Sequence, residues 1–265
     1  MPELPEVETV RRGLEPLLQG RRIAASGSHP SSRFAQAGNA VGTTVTGVGR
    51  RGKYLMIPLD DGRQLVIHLG MTGRLSVGEP TEPGAYDRAW WDLDDGNRLT
   101  FRDVRRFGRV AVVSGVPSGL PTLDALGPEP FDPAFTAEVL WRSLRRSRSK
   151  VKTQLLNQRV VAGVGNIYAD EALWRADIDP AARSVSRAAA GRLHEAVVDV
   201  LRAAIANGGT TLRDYRTVDG GEGANQHHLA CYGRWGHPCP RCGTELRRKV
   251  VDGRTTTWCP ACQRR

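Results

Sequence analysis

No stretch of the sequence holds the roughly 18 consecutive apolar residues that a membrane span needs, so none is expected. The opening residues lack the basic-then-apolar pattern of a secretory signal, which places the chain in the cytosol as an expectation. There is no internal repeat and no low-complexity tract, so neither a solenoid nor a disordered tail is foreseen. Acid is in short supply: 28 Asp plus Glu stand against 38 Lys plus Arg, a formal net charge of +10 over 265 residues. Lysine is also scarce, with four residues, so the surplus is arginine. Such a balance belongs either to a generic basic protein or to one with a polyanionic partner, and the distribution of the charge favours the partner. Seven basic residues and no acid lie between Trp141 and Arg159, and the stretch from Cys231 onward carries eight basic residues against two acids.

What is present divides the chain. LPEVETVRRGLEPLLQG has apolar residues at Val7, Val10, Leu14, Leu17 and Leu18, a helical period with Pro5 near its start and Gly20 past its end. Short strand-like runs follow (KYLMIPL, QLVIHLG, AWWDLDD, RLTFRDV, RVAVVSG), punctuated by Asp61-Gly62 and Asp95-Gly96 turns that suggest the hairpins of a sandwich or barrel. GLPTLDALGPEPFDP reads as a linker, and beyond it the period becomes helical as far as Gly208-Gly209. The expected organisation is α+β: residues 1–127 a β-sandwich opened by a helix, 128–228 helical, and 229–265 a small cysteine-bearing unit.

Four of the five cysteines form CPRC and CPAC: Cys239, Cys242, Cys259 and Cys262. A CxxC turn brings two thiolates to one metal, and a second across a short hairpin completes a tetrahedron. Two disulfides are disfavoured by a cytosolic setting, and a redox pair by the duplication. One structural zinc is therefore expected, closed to catalysis because four thiolates leave no open position. Cys231 is left over as a buried cysteine. Between the knuckles RRKVVDGRTTTW reads as a β-hairpin with Arg254 at its Asp252-Gly253 tip, placed to reach a phosphate. The turn Gly163-Val164-Gly165-Asn166 opens a further helix, whose first N–H groups favour an anion; Asn166 there serves either as cap or as phosphate donor.

Taken in order, PELPEVETVRRGL, RRGKYL, HLGMTG, RDVRRFG, QRVVAGVGNIYADEALWRA, YGR and the four-cysteine finger make the chain resemble the formamidopyrimidine-DNA glycosylase family over nearly its whole length. The resemblance implies a sandwich domain and a helix–two-turn–helix domain with a zinc finger, binding double-stranded DNA as a monomer. It implies excision of oxidised purines followed by strand elimination at the abasic site.

This chemistry gives the first residues a role. Removal of Met1 leaves Pro2 with a secondary amine at the terminus, and an α-amino group titrates near 8, well below lysine. Such an amine can attack the sugar C1′ and form an iminium that acidifies the neighbouring carbon. The resemblance makes Glu3 the acid toward the sugar oxygen, a role that needs a carboxyl whose proton survives near neutral pH. It makes Lys53 the residue at the flanking phosphate and Arg254 the finger arginine of the second elimination. Asn166, Arg106, Arg148 and Lys152 fall where the family holds the DNA backbone, with Arg88 and His68 as further candidates. An extruded base leaves a gap in the stack, and the fillers map to Met71, Arg105 and Phe107.

Two departures stand out. Ala224-Asn225 occupies a loop position where the family commonly carries aromatics, which bears on lesion preference, and Val104 replaces a usual proline. Two alternatives stay open: an endonuclease VIII-type enzyme for oxidised pyrimidines, against which Leu4 and HLGMTG speak, and a non-catalytic DNA binder, against which Pro2, Glu3 and Lys53 speak.

Overall fold

The computed structural model describes residues 1–115 and 117–264. The chain forms two compact units, one from Met1–Asp124 with Asn207–Gln226 and one from Ala125–Ala206 with His227–Arg265. Residues 207–226, assigned from the sequence to the helical part, pack with the first unit.

The first unit opens with helix α1, Leu4–Leu18. Glu3 is its N-cap and Glu6 sits three residues on, the spacing of a capping box, while Pro5 falls within the first turn where a missing N–H costs nothing. Two antiparallel four-stranded sheets follow. Strands β1 (Ile23–Ser28), β5 (Gly73–Gly78), β6 (Asp87–Leu93) and β7 (Arg98–Asp103) form one, in the order β1-β6-β7-β5. Strands β2 (Gly49–Arg51), β3 (Tyr54–Pro58), β4 (Arg63–His68) and β8 (Arg109–Ser114) form the other, in the order β2-β3-β4-β8. One apolar core joins the inward faces of both sheets to the apolar stripe of α1: Val7, Val10, Leu14 and Leu18 pack with Leu55, Ile57, Leu65, Ile67, Trp91 and Phe101, all at most 2% exposed. The expected sandwich opened by a helix is therefore the fold of this unit. The β6–β7 hairpin turns where expected, with Gly96 in the left-handed region at φ 84°.

The second unit contains α3 (Ala137–Arg145), α4 (Val151–Leu156), α5 (Asn166–Arg175) and α6 (Arg187–Ala206), preceded in the chain by the single turn α2 (Pro121–Asp124) of the first unit. Thr136 caps α3 by accepting from the Val139 N–H. The C-terminal hairpin pairs β9 (Arg247–Val251) with β10 (Arg254–Trp258), and Asp252 and Gly253 both take positive φ at its tip, as a two-residue I′ turn requires. Among the described residues no helix is long and apolar enough to cross a membrane.

Candidate active site and nucleic-acid interface

In the first unit, α1 delivers Pro2 and Glu3 to a buried position, with Glu3 only 2% exposed. Met1 is 53% exposed, so the residue that blocks the Pro2 amine lies on the outside. Glu6 organises the terminus: its Oε2 accepts from the Glu3 N–H at 2.7 Å, and its Oε1 accepts from the Thr210 N–H at 2.7 Å. Gly209 precedes Thr210 at φ 81°, and a Cβ there would lie 3.0 Å from the Glu6 side chain, so glycine permits this approach.

Lys53 follows Gly52 in the β2–β3 turn and is 6% exposed. Its charge, with those of Arg109 and Arg33, joins burial in depressing His68 to about 4, burial being the largest cause. His68 is thus a neutral imidazole at physiological pH; its Nδ1 accepts from the Gly70 N–H at 3.1 Å, and its ring lies 4.7 Å from that of Tyr54.

Met71, Arg105 and Phe107 are brought together by a residue that no motif singles out. Asp103, fully buried at the end of β7, accepts from Thr72 Oγ1 at 2.5 Å and from the Gly108 N–H at 2.7 Å. Thr72 Oγ1 in turn accepts from the Arg105 N–H at 3.1 Å. One carboxylate therefore fixes the loop carrying Met71 against the loop carrying Arg105 and Phe107. At Gly70 the two backbones leave no room for a side chain, a Cβ falling 2.5 Å from the Gly108 nitrogen. The Arg105 guanidinium lies 4.5 Å from the Phe107 ring centre, and Phe107 is 46% exposed. Arg106, exposed and at φ 55°, sits between them. Arg88 is different: it is 6% exposed, and its Nε donates to the Asp103 carbonyl at 2.7 Å while Nη1 donates to the Ala85 carbonyl at 3.1 Å. Its work in this structure is to brace the same corner.

In the second unit, the expectation for Lys152 is corrected. Lys152 is fully buried; its Nζ lies 2.6 Å from Asp170 Oδ1 and donates to Thr256 Oγ1 at 2.8 Å and to the Thr255 carbonyl at 3.2 Å. An ammonium so enclosed is a structural group, not a contact for a DNA phosphate. Burial pushes the Asp170 carboxyl up to about 6 despite the Lys152 ammonium beside it. Asp170 also accepts from the Thr257 N–H at 2.9 Å, and the next residue, Glu171, accepts from the N–H groups of Ala230, Cys231 and Tyr232. The acidic pair of α5 thus holds the segment leading into the finger and the second strand of its hairpin. Asn166 Nδ2 donates to the Thr255 carbonyl at 3.1 Å, so it meets Lys152 on the same oxygen, one residue from Arg254. Arg254 and Arg148 are exposed. The hairpin tip is tied down through Asp252, which accepts from Lys150 Nζ at 2.7 Å and Thr153 Oγ1 at 2.5 Å.

The four finger cysteines converge, with every Sγ within 4.8 Å of the others and neighbouring pairs at 3.4, 3.5 and 4.0 Å. Tetrahedral zinc with Zn–S near 2.3 Å needs S···S separations of about 3.8 Å, so the donor set fits one structural zinc. The Trp174 indole N–H donates to Cys239 Sγ at 3.4 Å, the outer contact that a thiolate ligand accepts. Cys231 is fully buried, and its thiol donates to the Thr257 carbonyl at 3.2 Å.

A β-sandwich whose first helix carries a buried Pro-Glu terminus, and a helical unit with a four-thiolate finger, make a two-unit zinc-finger protein. Family profiles match in sequence: the formamidopyrimidine-DNA glycosylase N-terminal domain over residues 1–110, its H2TH domain over 126–216, and the zinc finger found in FPG and IleRS over 236–265. The chain is 45% identical to the formamidopyrimidine-DNA glycosylase of Jannaschia sp., covering all of both chains, and 46% identical to that of Thermus thermophilus, covering 99% of this chain and 98% of the relative. The crystal structure of the MutM (Fpg) protein from Thermus thermophilus superposes with a TM-score of 0.92 at 45% identity, over 99% of this chain and 98% of that one. A Lactococcus lactis FPG mutant in complex with Fapy-dG-containing DNA superposes with a TM-score of 0.91 at 35% identity over the whole of both chains. The chain belongs to the formamidopyrimidine-DNA glycosylase family.

Proposed function

We propose that the protein is a bifunctional DNA glycosylase and abasic-site lyase of base excision repair, removing oxidised purines from double-stranded DNA. Its relatives support the substrate class: structures similar to this one hold Fapy-dG DNA, carbocyclic 8-oxo-G DNA and abasic-site DNA. The observation that carries the mechanism is the Pro2-Glu3 terminus, buried at the start of α1 and tied through the Glu3 N–H to Glu6.

With Met1 removed, the Pro2 nitrogen bonds to the sugar C1′ while the glycosidic bond breaks and the base leaves with its electron pair and a proton. Glu3 gives a proton to the ring oxygen as the sugar opens to the iminium. Loss of a C2′ proton then expels the 3′ phosphate, and a second elimination expels the 5′ phosphate. Lys53 and Arg254 bind these phosphates, with Asn166, Arg106 and Arg148 along the backbone and Met71, Arg105 and Phe107 in the vacated stack. His68 supports this set by accepting from the Gly70 N–H and Arg88 by donating to the Asp103 carbonyl, and Lys152 supports Arg254 through the Thr255 carbonyl. Of the expected division 1–127, 128–228 and 229–265, residues 207–226 go with the sandwich domain, and the bacterial cytoplasm is the proposed location. The test is single-turnover cleavage of an 8-oxoguanine:C duplex against a thymine-glycol duplex. Preference for the former is expected, and preference for the latter contradicts the purine assignment.

A further inference from the structure

Asn225 stands in the loop position where the family resemblance leads to an aromatic, and it is 5% exposed. Its Nδ2 donates to Thr210 Oγ1 at 2.9 Å, its Oδ1 accepts from Asn207 Nδ2 at 3.2 Å, and its own N–H donates to the Gly209 carbonyl at 3.0 Å. Thr210, 3% exposed, passes the connection on, since its N–H donates to Glu6 Oε1 and Glu6 Oε2 accepts from the Glu3 N–H. The backbones of 208–209 and 223 lie so close that a Cβ on Gly223 would fall 2.1 Å from the Gly209 carbonyl oxygen. Buried polar groups joined in one hydrogen-bonded network are coupled, so moving one moves the next.

We propose that Asn225 is a positioning residue for the N-terminal reacting groups, acting through Thr210 and Glu6 on the backbone between Pro2 and Glu3. A phenylalanine at this site would remove both the donor to Thr210 Oγ1 and the acceptor for Asn207. The polar side chain is therefore a working part of this chain, not a neutral loss of an aromatic. The inference rests on Pro2 as the nucleophile.

An abasic duplex isolates the terminus, because it has no base for a loop to hold. Single-turnover elimination and borohydride trapping are measured on the full chain after Met1 removal, with binding measured on a tetrahydrofuran-site duplex that cannot react. Asn225→Ala and Thr210→Val should each slow elimination about tenfold, since sub-ångström displacement of a reacting group is costly. Binding should stay within about twofold and the melting temperature should hold. The double variant should be no slower than either single one, the signature of one shared path. Thr210→Ser, which keeps the hydroxyl, should restore the rate. Should Asn225→Ala fail to fold, Asn225→Leu keeps the volume but loses both the donor to Thr210 Oγ1 and the acceptor for Asn207, and should show the same slowing. Unchanged rates, additive losses, or losses that follow weakened binding or lowered melting temperature overturn the proposal. A parent chain freed of Met1 that traps no abasic duplex overturns instead the reading of Pro2.

Discussion

The Lys152 ammonium and the Asp170 carboxylate meet at 2.6 Å with neither side chain exposed. Each charge is tolerable there only because the other is present, and the pair holds the strand that carries Arg254 through Thr255, Thr256 and Thr257. Lys152→Met should cost about 3–5 kcal/mol, because it strands a buried carboxylate. Lys152→Met with Asp170→Leu should recover most of that in urea unfolding. Burial holds the folded Asp170 proton up to about 6, above its unfolded value, so the native state binds more protons between about 4 and 6. The contribution of Asp170 therefore becomes less favourable as pH rises through that window, and the Lys152→Met deficit should be larger at pH 8 than at pH 5.

His68 runs the other way. Its folded value is depressed to about 4, so the unfolded chain binds the proton first as pH falls. Its contribution is fully present above about 6.5 and is lost between about 6.5 and 4, amounting to roughly 3 kcal/mol. His68→Gln, which can keep an acceptor for the Gly70 N–H, should flatten this part of the stability–pH curve relative to the parent chain. Parallel curves would contradict the neutral, half-buried imidazole.

The apolar period of α1, the Asp-Gly turns and the two CxxC pairs were legible in the sequence because each is a local signal. Strands β1, β2 and β5 were not. All three are edge strands, and IAASGS and GRLSVG show no clean alternation because an edge strand is half solvated. The site residues with long-range partners were equally silent. Glu6 and Thr210 lie 204 residues apart, and nothing local marks Lys152 as buried when Arg145, Arg146, Arg148 and Arg159 of the same basic run are exposed. Asp103 was hidden for a different reason: it sits inside a motif dominated by arginines, and its value comes from accepting backbone N–H groups.

Asp103→Ala should release the loops of Met71 and Arg105–Phe107. Removing a charged acceptor from two buried donors costs about 2–3 kcal/mol, and affinity for a lesion duplex should fall about tenfold. Asp103→Asn should recover part of this loss, since its Oδ1 can still accept from the Gly108 N–H while its Nδ2 faces the Thr72 hydroxyl. Wild-type affinity in Asp103→Ala would show that the loops hold themselves.

Chelation of the metal should unfold the hairpin and abolish DNA binding while leaving the sandwich core intact. Hydrogen exchange is the measurement: amides of residues 231–264 should lose protection, and those of β3, β4, β6 and β7 should keep it. Loss of protection throughout would contradict two separately cored units.

The central claim is that the Pro2 amine is the nucleophile once Met1 is gone. Borohydride trapping with an 8-oxoguanine:C duplex, followed by mass spectrometry of the N-terminal peptide, tests it most directly. The processed chain should give a covalent adduct on Pro2, and a chain that retains Met1 should give none. An adduct on Lys53, or on no residue at all, would contradict the account.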